Sequence, residues 1–189
     1  MGKVALFITI SLLLSLNGYA STFDIYKATI ISEEPFQYNI QRLTDSGDIG
    51  KNSYQPSIDS SGNKIAFFSD ETGRYEVYVI NSDGTNRQQL TFSEPGYSQA
   101  PRISADGSMI AFIYSNDREI YVIKPDGTGL RQVSVNADHG YGSAISGDGS
   151  IVAYTSNGNL FAVNSDGTNN TQLTNLDGVE WQPAIDGDG

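Results

Sequence analysis

Cysteine is absent from this 189-residue chain, and histidine occurs once, at His139. The missing cysteine excludes disulfide bonds, thiolate metal sites and a cysteine nucleophile. A single histidine cannot form a multi-histidine metal site, and any histidine-based triad would have to use His139. The sequence also lacks Gly-x-Ser-x-Gly, His-Glu-x-x-His and a phosphate-cradling glycine loop. We therefore expect no metal and no cofactor, and these residues favour a non-catalytic protein.

Basic residues are scarce: 11 Lys and Arg stand against 22 Asp and Glu, for a formal net charge of −11. Binding to phosphate backbones or to anionic lipid requires a basic surface, so nucleic acid and anionic membrane surfaces are excluded as partners. A basic peptide or a divalent cation remains compatible with this charge, although acidity by itself mainly confers solubility.

Apolar runs long enough to span a bilayer are also absent. The longest, Val4 to Leu16, follows the positive charge of Lys3 and precedes small residues up to Ala20. A short positive start, an apolar centre and small residues at the end are typical of a secretory leader. We predict a signal peptide over residues 1–20, cleavage after Ala20, no membrane insertion after cleavage, and a periplasmic or secreted mature protein. An uncleaved N-terminal anchor is the alternative.

Repetition dominates the rest of the chain. Asp-Gly-Thr turns begin at Asp83, Asp126 and Asp166, spaced by 43 and then 40 residues. Each follows a short apolar run of the type Glu-Val-Tyr-Val-Ile and precedes a short, more polar segment ending in Leu-Thr or Val-Ser. A period near 40 that is filled with short strands is typical of β-propeller blades. We predict an all-β fold, a β-propeller of four-stranded blades.

The second unit shows the predicted strands: Ala100 to Ser104, Met109 to Tyr114, Glu119 to Lys124 and Leu130 to Ser134. Strands such as Ile65 to Phe68 are apolar on both faces, which indicates a sheet covered on both sides. The tight turns joining these strands depend on the following residues: Asp83, Gly84, Asp106, Gly107, Asp126, Gly127, Asp148, Gly149, Asp166 and Gly167.

The motif beginning Pro101-x-Ile-Ser-x-Asp-Gly-x-x-Ile-Ala-Phe, with Glu119-Ile-Tyr-Val-Ile and Asp126-Gly-Thr after it, resembles the TolB-like (WD-like) β-propeller repeat. The resemblance covers roughly residues 36–189. The third unit departs from the pattern with Ser143 in place of proline, and the first with Ser61 in place of the turn aspartate. TolB itself carries an α/β domain before its propeller, for which this chain has no space, so the resemblance is to the family and not to TolB itself.

The predicted units have the following boundaries: a half-blade of two closing strands at 21–44, complete blades at 45–91, 92–134 and 135–174, and the start of another at 175–189. About three complete blades are thus visible, and we expect the N-terminal fragment of a ring of about 6–8 blades. A four-bladed ring that lacks one strand is the alternative. An isolated 21–189 fragment is expected to melt in a broad, weakly cooperative transition.

Candidate binding residues lie in the loops opposite the Asp-Gly turns, where the units differ most. Four residues before the first-strand isoleucine stand Tyr54, Gln99, Tyr141 and Trp181, with Tyr97 two residues before Gln99. Such aromatic side chains would ring the mouth of the central channel and stack on a peptide or sugar. The alternative is that each fills the gap between neighbouring blades.

Acidic residues share that face: Asp45, Asp48, Asp70, Glu71, Glu94, Asp117, Asp138, Asp177 and Glu180. We interpret them as solvated loop residues, although they would also suit a cation or a basic peptide terminus. The terminal Asp186-Gly187-Asp188-Gly189 lacks the spacing of a calcium loop, and we interpret Asp188-Gly189 as a hairpin turn. The aspartates of the Asp-Gly-Thr turns are expected to bond their own backbone two residues on.

Two functions from different classes follow. The first is an exported, non-catalytic scaffold that binds a protein or peptide. The second is suggested by a resemblance to the prolyl-oligopeptidase group, in which similar repeats gate an α/β-hydrolase domain, here expected beyond residue 189. A lyase resembling the oligogalacturonate lyases is disfavoured, because that resemblance implies several histidines near the channel.

Overall fold

A computed structural model describes residues 7–14, 22–33, 36–137, 142–175 and 183–186 of the chain. It contains fifteen strands: β1 Phe7–Leu14, β2 Thr22–Glu33, β3 Phe36–Arg42, β4 Ser53–Ile58, β5 Lys64–Ser69, β6 Glu76–Asn81, β7 Gln88–Gln89, β8 Ser98–Ile103, β9 Ile110–Tyr114, β10 Glu119–Ile123, β11 Arg131–Gln132, β12 Ser143–Ile145, β13 Ile151–Ser156, β14 Asn159–Asn164 and β15 Thr171–Gln172. One turn of 3₁₀ helix, Ser46–Ile49, precedes β4. Within the described ranges, no helix is both long and apolar enough to cross a bilayer.

The strands form four antiparallel sheets. The first sheet, β1-β2-β3, is called the N-terminal sheet, and the others are blade 1 (β4 to β7), blade 2 (β8 to β11) and blade 3 (β12 to β15). In every blade the strands neighbour one another in chain order, and the first strands of consecutive blades contact each other. This stack of four-stranded meanders confirms the predicted β-propeller architecture.

Apolar side chains fill the space between each pair of neighbouring sheets. One cluster, which includes Ile25, Leu43 and Phe67, joins the N-terminal sheet to blade 1. A second cluster joins blade 1 to blade 2, and a third joins blade 2 to blade 3. Every side chain of β5 after Lys64 is buried, as the two-sided apolar pattern predicts. Burial of both sheet faces is therefore the main contribution to stability.

The fourth strand of each blade is only two residues long. Beyond it, a side-chain hydroxyl rather than a backbone carbonyl accepts the hydrogen bond from the amide of the third strand. In blade 1, the Val77 amide donates to Thr91 Oγ1 at 2.9 Å. The Ile120 amide of blade 2 donates to Ser134 Oγ at 2.7 Å, and the Leu160 amide of blade 3 to Thr174 Oγ1 at 2.9 Å. The hydroxyl residue at the end of each unit thus closes the sheet where the fourth strand ends.

The Asp-Gly-Thr turns hold themselves together and also join neighbouring sheets. The Thr85 amide and hydroxyl donate to Asp83 Oδ1 at 2.9 and 2.7 Å. The carbonyl oxygen of Asp83 in turn accepts a hydrogen bond from Gln41 Nε2 of the preceding sheet at 3.0 Å. Equivalent bonds run from Gln88 to Asp126 at 3.5 Å and from Arg131 to Asp166 at 2.6 Å. Each turn therefore fixes the position of its blade against the one before it.

The second set of tight turns packs blade against blade. The Ser60 amide donates to the Ala105 carbonyl, and the Asp106 amide to the Gly147 carbonyl, both at 2.8 Å. A Cβ added at Gly149 would lie 2.9 Å from Met109 Cβ, so only glycine allows this close approach. In blade 1, buried Asp59 accepts the Lys64 amide at 3.1 Å.

A buried carboxylate begins the third strand of blades 1 and 2. Glu76 accepts hydrogen bonds from Thr91 Oγ1 at 2.5 Å and from the Ser93 amide at 2.7 Å. Glu119 likewise accepts the Ser134 hydroxyl and the Asn136 amide, the latter at 2.6 Å. Since Ser93 and Asn136 begin the connections to the next blades, each acid ties its blade to its successor.

The predicted half-blade at 21–44 has a third strand in the structure. β1 lies inside the predicted leader and pairs with β2 from Phe7↔Thr29 to Leu14↔Thr22. Cleavage after Ala20 stays a prediction, because nothing in the sheet bears on whether the chain is cut. A cut at that point would remove β1 and leave one edge of β2 without a neighbour.

Candidate functional site

A bulge shapes the first strand of blades 1 and 2 just where the candidate aromatic residues lie. The pairing of β4 with β5 shifts register between Tyr54 and Ser57, and Gln55 there adopts φ 45°. In β8 the shift falls between Gln99 and Arg102, and Ala100 adopts φ 53°. Gly142 takes the equivalent position before β12 with φ 87°. A residue with left-handed backbone conformation in an edge bulge changes the direction of the preceding side chain. Such bulges are common beside binding sites.

Five aromatic side chains form a continuous row across the N-terminal sheet, blade 1 and the connection to blade 2. The members of this aromatic row are Phe23, Tyr54, Phe68, Tyr75 and Tyr97. Ring centroids lie 4.8 Å apart for Phe23 and Tyr54, 5.3 Å for Tyr54 and Phe68, and 6.3 Å for Tyr75 and Tyr97. These are the separations of favourable aromatic contacts, so the row stabilises its own geometry.

The row is buried in its middle and most exposed at its Tyr97 end. Phe68 is buried, Tyr54 and Tyr75 are half-buried, and Tyr97 is 41% exposed. Burial raises the pKa of Tyr54 to about 12, with the nearby Tyr75 phenol and Asp70 carboxylate adding to the effect. Tyr54 therefore stays a neutral phenol throughout the physiological range, able to donate or accept a hydrogen bond but unable to act as a base.

A cavity of about 300 Å³ opens at the exposed end of the row. Its lining is Asp70, Gly73, Arg74, Tyr75, Gly96 and Tyr97. Arg74 donates to the Ser93 carbonyl at 3.3 Å and pairs with Glu94 at 3.1 Å. The Tyr97 backbone is held on both sides, because its amide donates to Ser115 Oγ and its carbonyl accepts the Ser115 amide, each at 2.9 Å. An aromatic floor beside one cation and two carboxylates suits a peptide with a polar or charged end.

The structure brings together two of the predicted aromatic residues, Tyr54 and Tyr97, through Tyr75. Tyr54 contacts Phe23 of the neighbouring sheet, so it also fills the gap between sheets that the alternative interpretation describes. Gln99 lies in the bulge of β8. Tyr141 and Trp181 lie outside the described residues, and their placement at the channel mouth stays a prediction.

Sequence reasoning missed Phe23, Phe68 and Tyr75. A signal for two of them was present: Phe23 directly precedes Asp24, and Tyr75 directly precedes Glu76, so both stand one residue before the acid that begins a third strand. Alignment on that acid, rather than on the first-strand isoleucine, reveals them. Phe68 joins the row because it is the cross-strand partner of Tyr54.

The acidic side chains that the structure describes on this face engage separate partners, except that Asp45 and Glu71 share one arginine. Asp70 accepts the Asn52 amide at 2.6 Å, and Asp45 and Glu71 both pair with Arg87. Asp117 accepts the Tyr121 hydroxyl at 2.7 Å. Among the described residues, no three Asp, Glu or His side chains lie close enough together to hold a metal ion. His139 and the acids Asp138, Asp177 and Glu180 lie outside the described residues, as do 187–189, and the Asp48 side chain is likewise not described.

The predicted turn residues occupy tight turns in which the glycine has a positive φ. Their glycines have the following φ values: Gly84 89°, Gly107 70°, Gly127 83°, Gly149 72° and Gly167 82°. Hydrogen bonds from Thr85, Thr128 and Thr168 lower the pKa of Asp83, Asp126 and Asp166 respectively. Hydrogen bonds lower the pKa of Asp106 and Asp148 in the same way, from Ser104 and from the Ser150 amide. These aspartates are therefore engaged within their own turns.

The sequence over residues 14–186 matches the family model described as PD40, TolB beta propeller domain. The chain belongs to this family. A relative from Chlorobaculum tepidum, described as a TolB homolog, is 34% identical over 122 residues, which are 60% of this chain and 27% of that protein. The chain thus spans under a third of the length of that relative.

Solved structures show the same fold as this PD40 chain. The crystal structure of TolB from Acinetobacter baumannii matches with a TM-score of 0.66 at 20% identity, covering 93% of this chain and 43% of that one. A puromycin-hydrolyzing peptidase from Mycobacterium tuberculosis matches with a TM-score of 0.61 at 14% identity, covering 80% of this chain and 24% of that one. At these identities the likeness concerns the fold alone.

Proposed function

We propose that this chain is an exported, non-catalytic propeller scaffold that binds a protein or peptide partner through the aromatic row. The observation that carries the proposal is the row itself, which leads from the buried Phe68 to the exposed Tyr97 and ends in a cavity beside Arg74 and Glu94. Rigid aromatic side chains lose little conformational freedom on binding and are enriched where proteins contact partners. Membership of the TolB propeller family supports a partner of this class.

A photo-crosslinking amino acid at position 97 tests the site in the producing cell. The same amino acid at position 124 is the control, because Lys124 is an exposed residue beside the Asp-Gly-Thr turn of blade 2, a blade with a neighbour on each side. A discrete crosslinked product from position 97 and none from position 124 is the expected result. Loss of that product when Tyr54 and Tyr75 are replaced by alanine would assign the contact to the row. Equal labelling from both positions would overturn the assignment.

A second candidate is the propeller part of a secreted serine peptidase that resembles the prolyl-oligopeptidase group. The observation that favours it is the fold likeness to the puromycin-hydrolyzing peptidase. The test is to sequence the gene beyond the codon for Gly189. A Gly-x-Ser-x-Gly motif followed by Asp and His would support this candidate, and further Asp-Gly repeats followed by a stop codon would dismiss it.

A further inference from the structure

The three gaps between neighbouring sheets share one architecture and differ in what fills them. Between the N-terminal sheet and blade 1, the Arg87 guanidinium lies 5.8 Å from the ring centre of Phe67 and 5.7 Å from that of Tyr78. It pairs there with Asp45 at 3.0 Å and with Glu71. Stacking on two rings with carboxylates beyond is a favourable binding arrangement for a guanidinium group.

The next gap, between blade 1 and blade 2, is an open groove of about 430 Å³. Five of its lining residues, Phe92, Ser93, Phe112, Tyr121 and Leu130, stand at the repeat positions of Asp45, Ser46, Phe67, Tyr78 and Arg87 in that order. The ring pair is retained, since Phe112 and Tyr121 lie 6.0 Å apart at 29°, against 5.5 Å and 20° for Phe67 and Tyr78. Leu130, however, is 59% exposed, and although Phe112 is only 2% exposed, the Tyr121 ring stays half-exposed beside the groove.

The third gap is closed in another way. Tyr154 and Phe161 form the equivalent ring pair at 5.5 Å, and Asn170 stands at the position of Arg87. The Asn170 side chain exchanges hydrogen bonds with the Tyr154 hydroxyl at 2.7 and 2.9 Å, and Tyr154 is fully buried. The open groove is thus a departure from its neighbours on both sides.

We propose that the groove between blade 1 and blade 2 binds an arginine side chain supplied by a peptide segment of a partner. The rings that hold a guanidinium one blade earlier are present, and two carboxylates stand near them. Glu94 lines the groove with its side chain 80% exposed, and Asp117 accepts the Tyr121 hydroxyl at its rim. The chain's charge of −11 also favours a cationic ligand.

This groove contains none of the rings of the aromatic row, although Glu94 lies beside both sites, and the proposal holds whether or not the row binds a partner. The variant Leu130→Arg tests the proposal with a side chain of the chain itself, because it places in the groove the residue type that Arg87 supplies in the first gap. We expect the variant to melt at a higher temperature than the wild-type chain. Ile49→Arg is the control, adding the same side chain at an exposed apolar residue outside the groove. If Leu130→Arg folds, a melting temperature equal to or lower than that of the control would overturn the proposal.

A titration with added peptides tests the proposal directly. The probes are acetyl-Gly-Arg-Gly-amide and its citrulline and norleucine counterparts, added to the full chain while the ring signals of labelled Phe and Tyr are followed by NMR. The arginine peptide should bind about fivefold more tightly than the citrulline peptide, which keeps the shape and loses the charge. Norleucine binding as tightly as arginine would show an apolar pocket and overturn the proposal.

The variant Phe92→Asp distinguishes an arginine site from an apolar pocket even if Leu130→Arg fails to fold. It recreates the carboxylate that Asp45 supplies in the first gap, so arginine binding should tighten about threefold and norleucine binding should weaken. Unchanged arginine binding would contradict the equivalence of the two gaps. Replacement of Tyr54 and Tyr75 should leave this titration unaffected, so failure here is distinct from failure of the aromatic row.

Discussion

The aspartates of the three Asp-Gly-Thr turns make the same hydrogen bonds in each blade. Asp83, Asp126 and Asp166 each accept both the amide and the hydroxyl of the threonine two residues on. This bonding could be predicted from sequence because it depends only on neighbours in the chain. The contacts of Arg87 and Leu130 could not, because they depend on which residues of the adjacent sheet face them.

Asp148 offers a pH-dependent test at this scale. Hydrogen bonds from the Ser150 amide and the Ser146 hydroxyl lower its pKa to about 2 from an ordinary value of 3.8. A carboxylate with a lowered pKa stabilises the fold fully above pH 3.8, and this contribution is lost as the pH falls toward 2. Asp148→Asn keeps the acceptor but does not titrate, so its unfolding free energy should fall less steeply across that window. Glu94→Gln, which removes one exposed charge, is the control in acid titrations followed by circular dichroism.

Among the strands, the third of each blade has a double role, as part of the sheet and as anchor for the next connection. The acids Glu76 and Glu119 accept amides from the segments that lead to blades 2 and 3. The periodic acid before Val-Tyr-Val-Ile was visible in the sequence, but its burial was not. An acid at a strand end is more often solvated, and only the packed neighbouring blade removes water from it.

Glu76→Ala should therefore destabilise the protein strongly. The change leaves the buried Ser93 amide and the Thr91 hydroxyl without their carboxylate acceptor, and we expect a loss of about 2–4 kcal/mol in unfolding free energy. Glu94→Ala removes an acid whose side chain is 80% exposed and should change stability by under about 0.5 kcal/mol. Urea denaturation measures both, and a similar effect of the two variants would contradict the anchoring role.

For the molecule as a whole, the repeat period of 43 and 40 residues was enough to predict the propeller, since few other folds combine that spacing with short strands. The apolar pattern also predicted burial on both faces of the central strands. The aromatic row was predicted only in part, because it crosses from the N-terminal sheet through blade 1 to blade 2. Alignment within repeats compares equivalent positions, whereas a site of this kind is built from non-equivalent ones, such as Phe23, Tyr54 and Tyr97.

The predicted leader can be tested on the exported protein. If residues 1–20 are removed, the N-terminal sequence of protein recovered from the periplasm or the medium should begin at Ser21. Ala20→Arg should block the cut and leave the longer chain in the membrane fraction, because the small residue before the cut is what the peptidase requires. A recovered protein that still begins at Met1 would contradict cleavage.

The pairing of β1 with β2 also implies an order of events in time. Eight consecutive residues of β1, Phe7 to Leu14, are matched against β2, and these residues make up most of the apolar centre of the predicted leader. If residues 1–20 act as the predicted leader, export machinery has to bind this segment while it is unpaired. A chain that folded first would bury the leader in the N-terminal sheet. In that case translocation would have to begin before the N-terminal sheet closes, and slow folding of the newly made chain would favour its export.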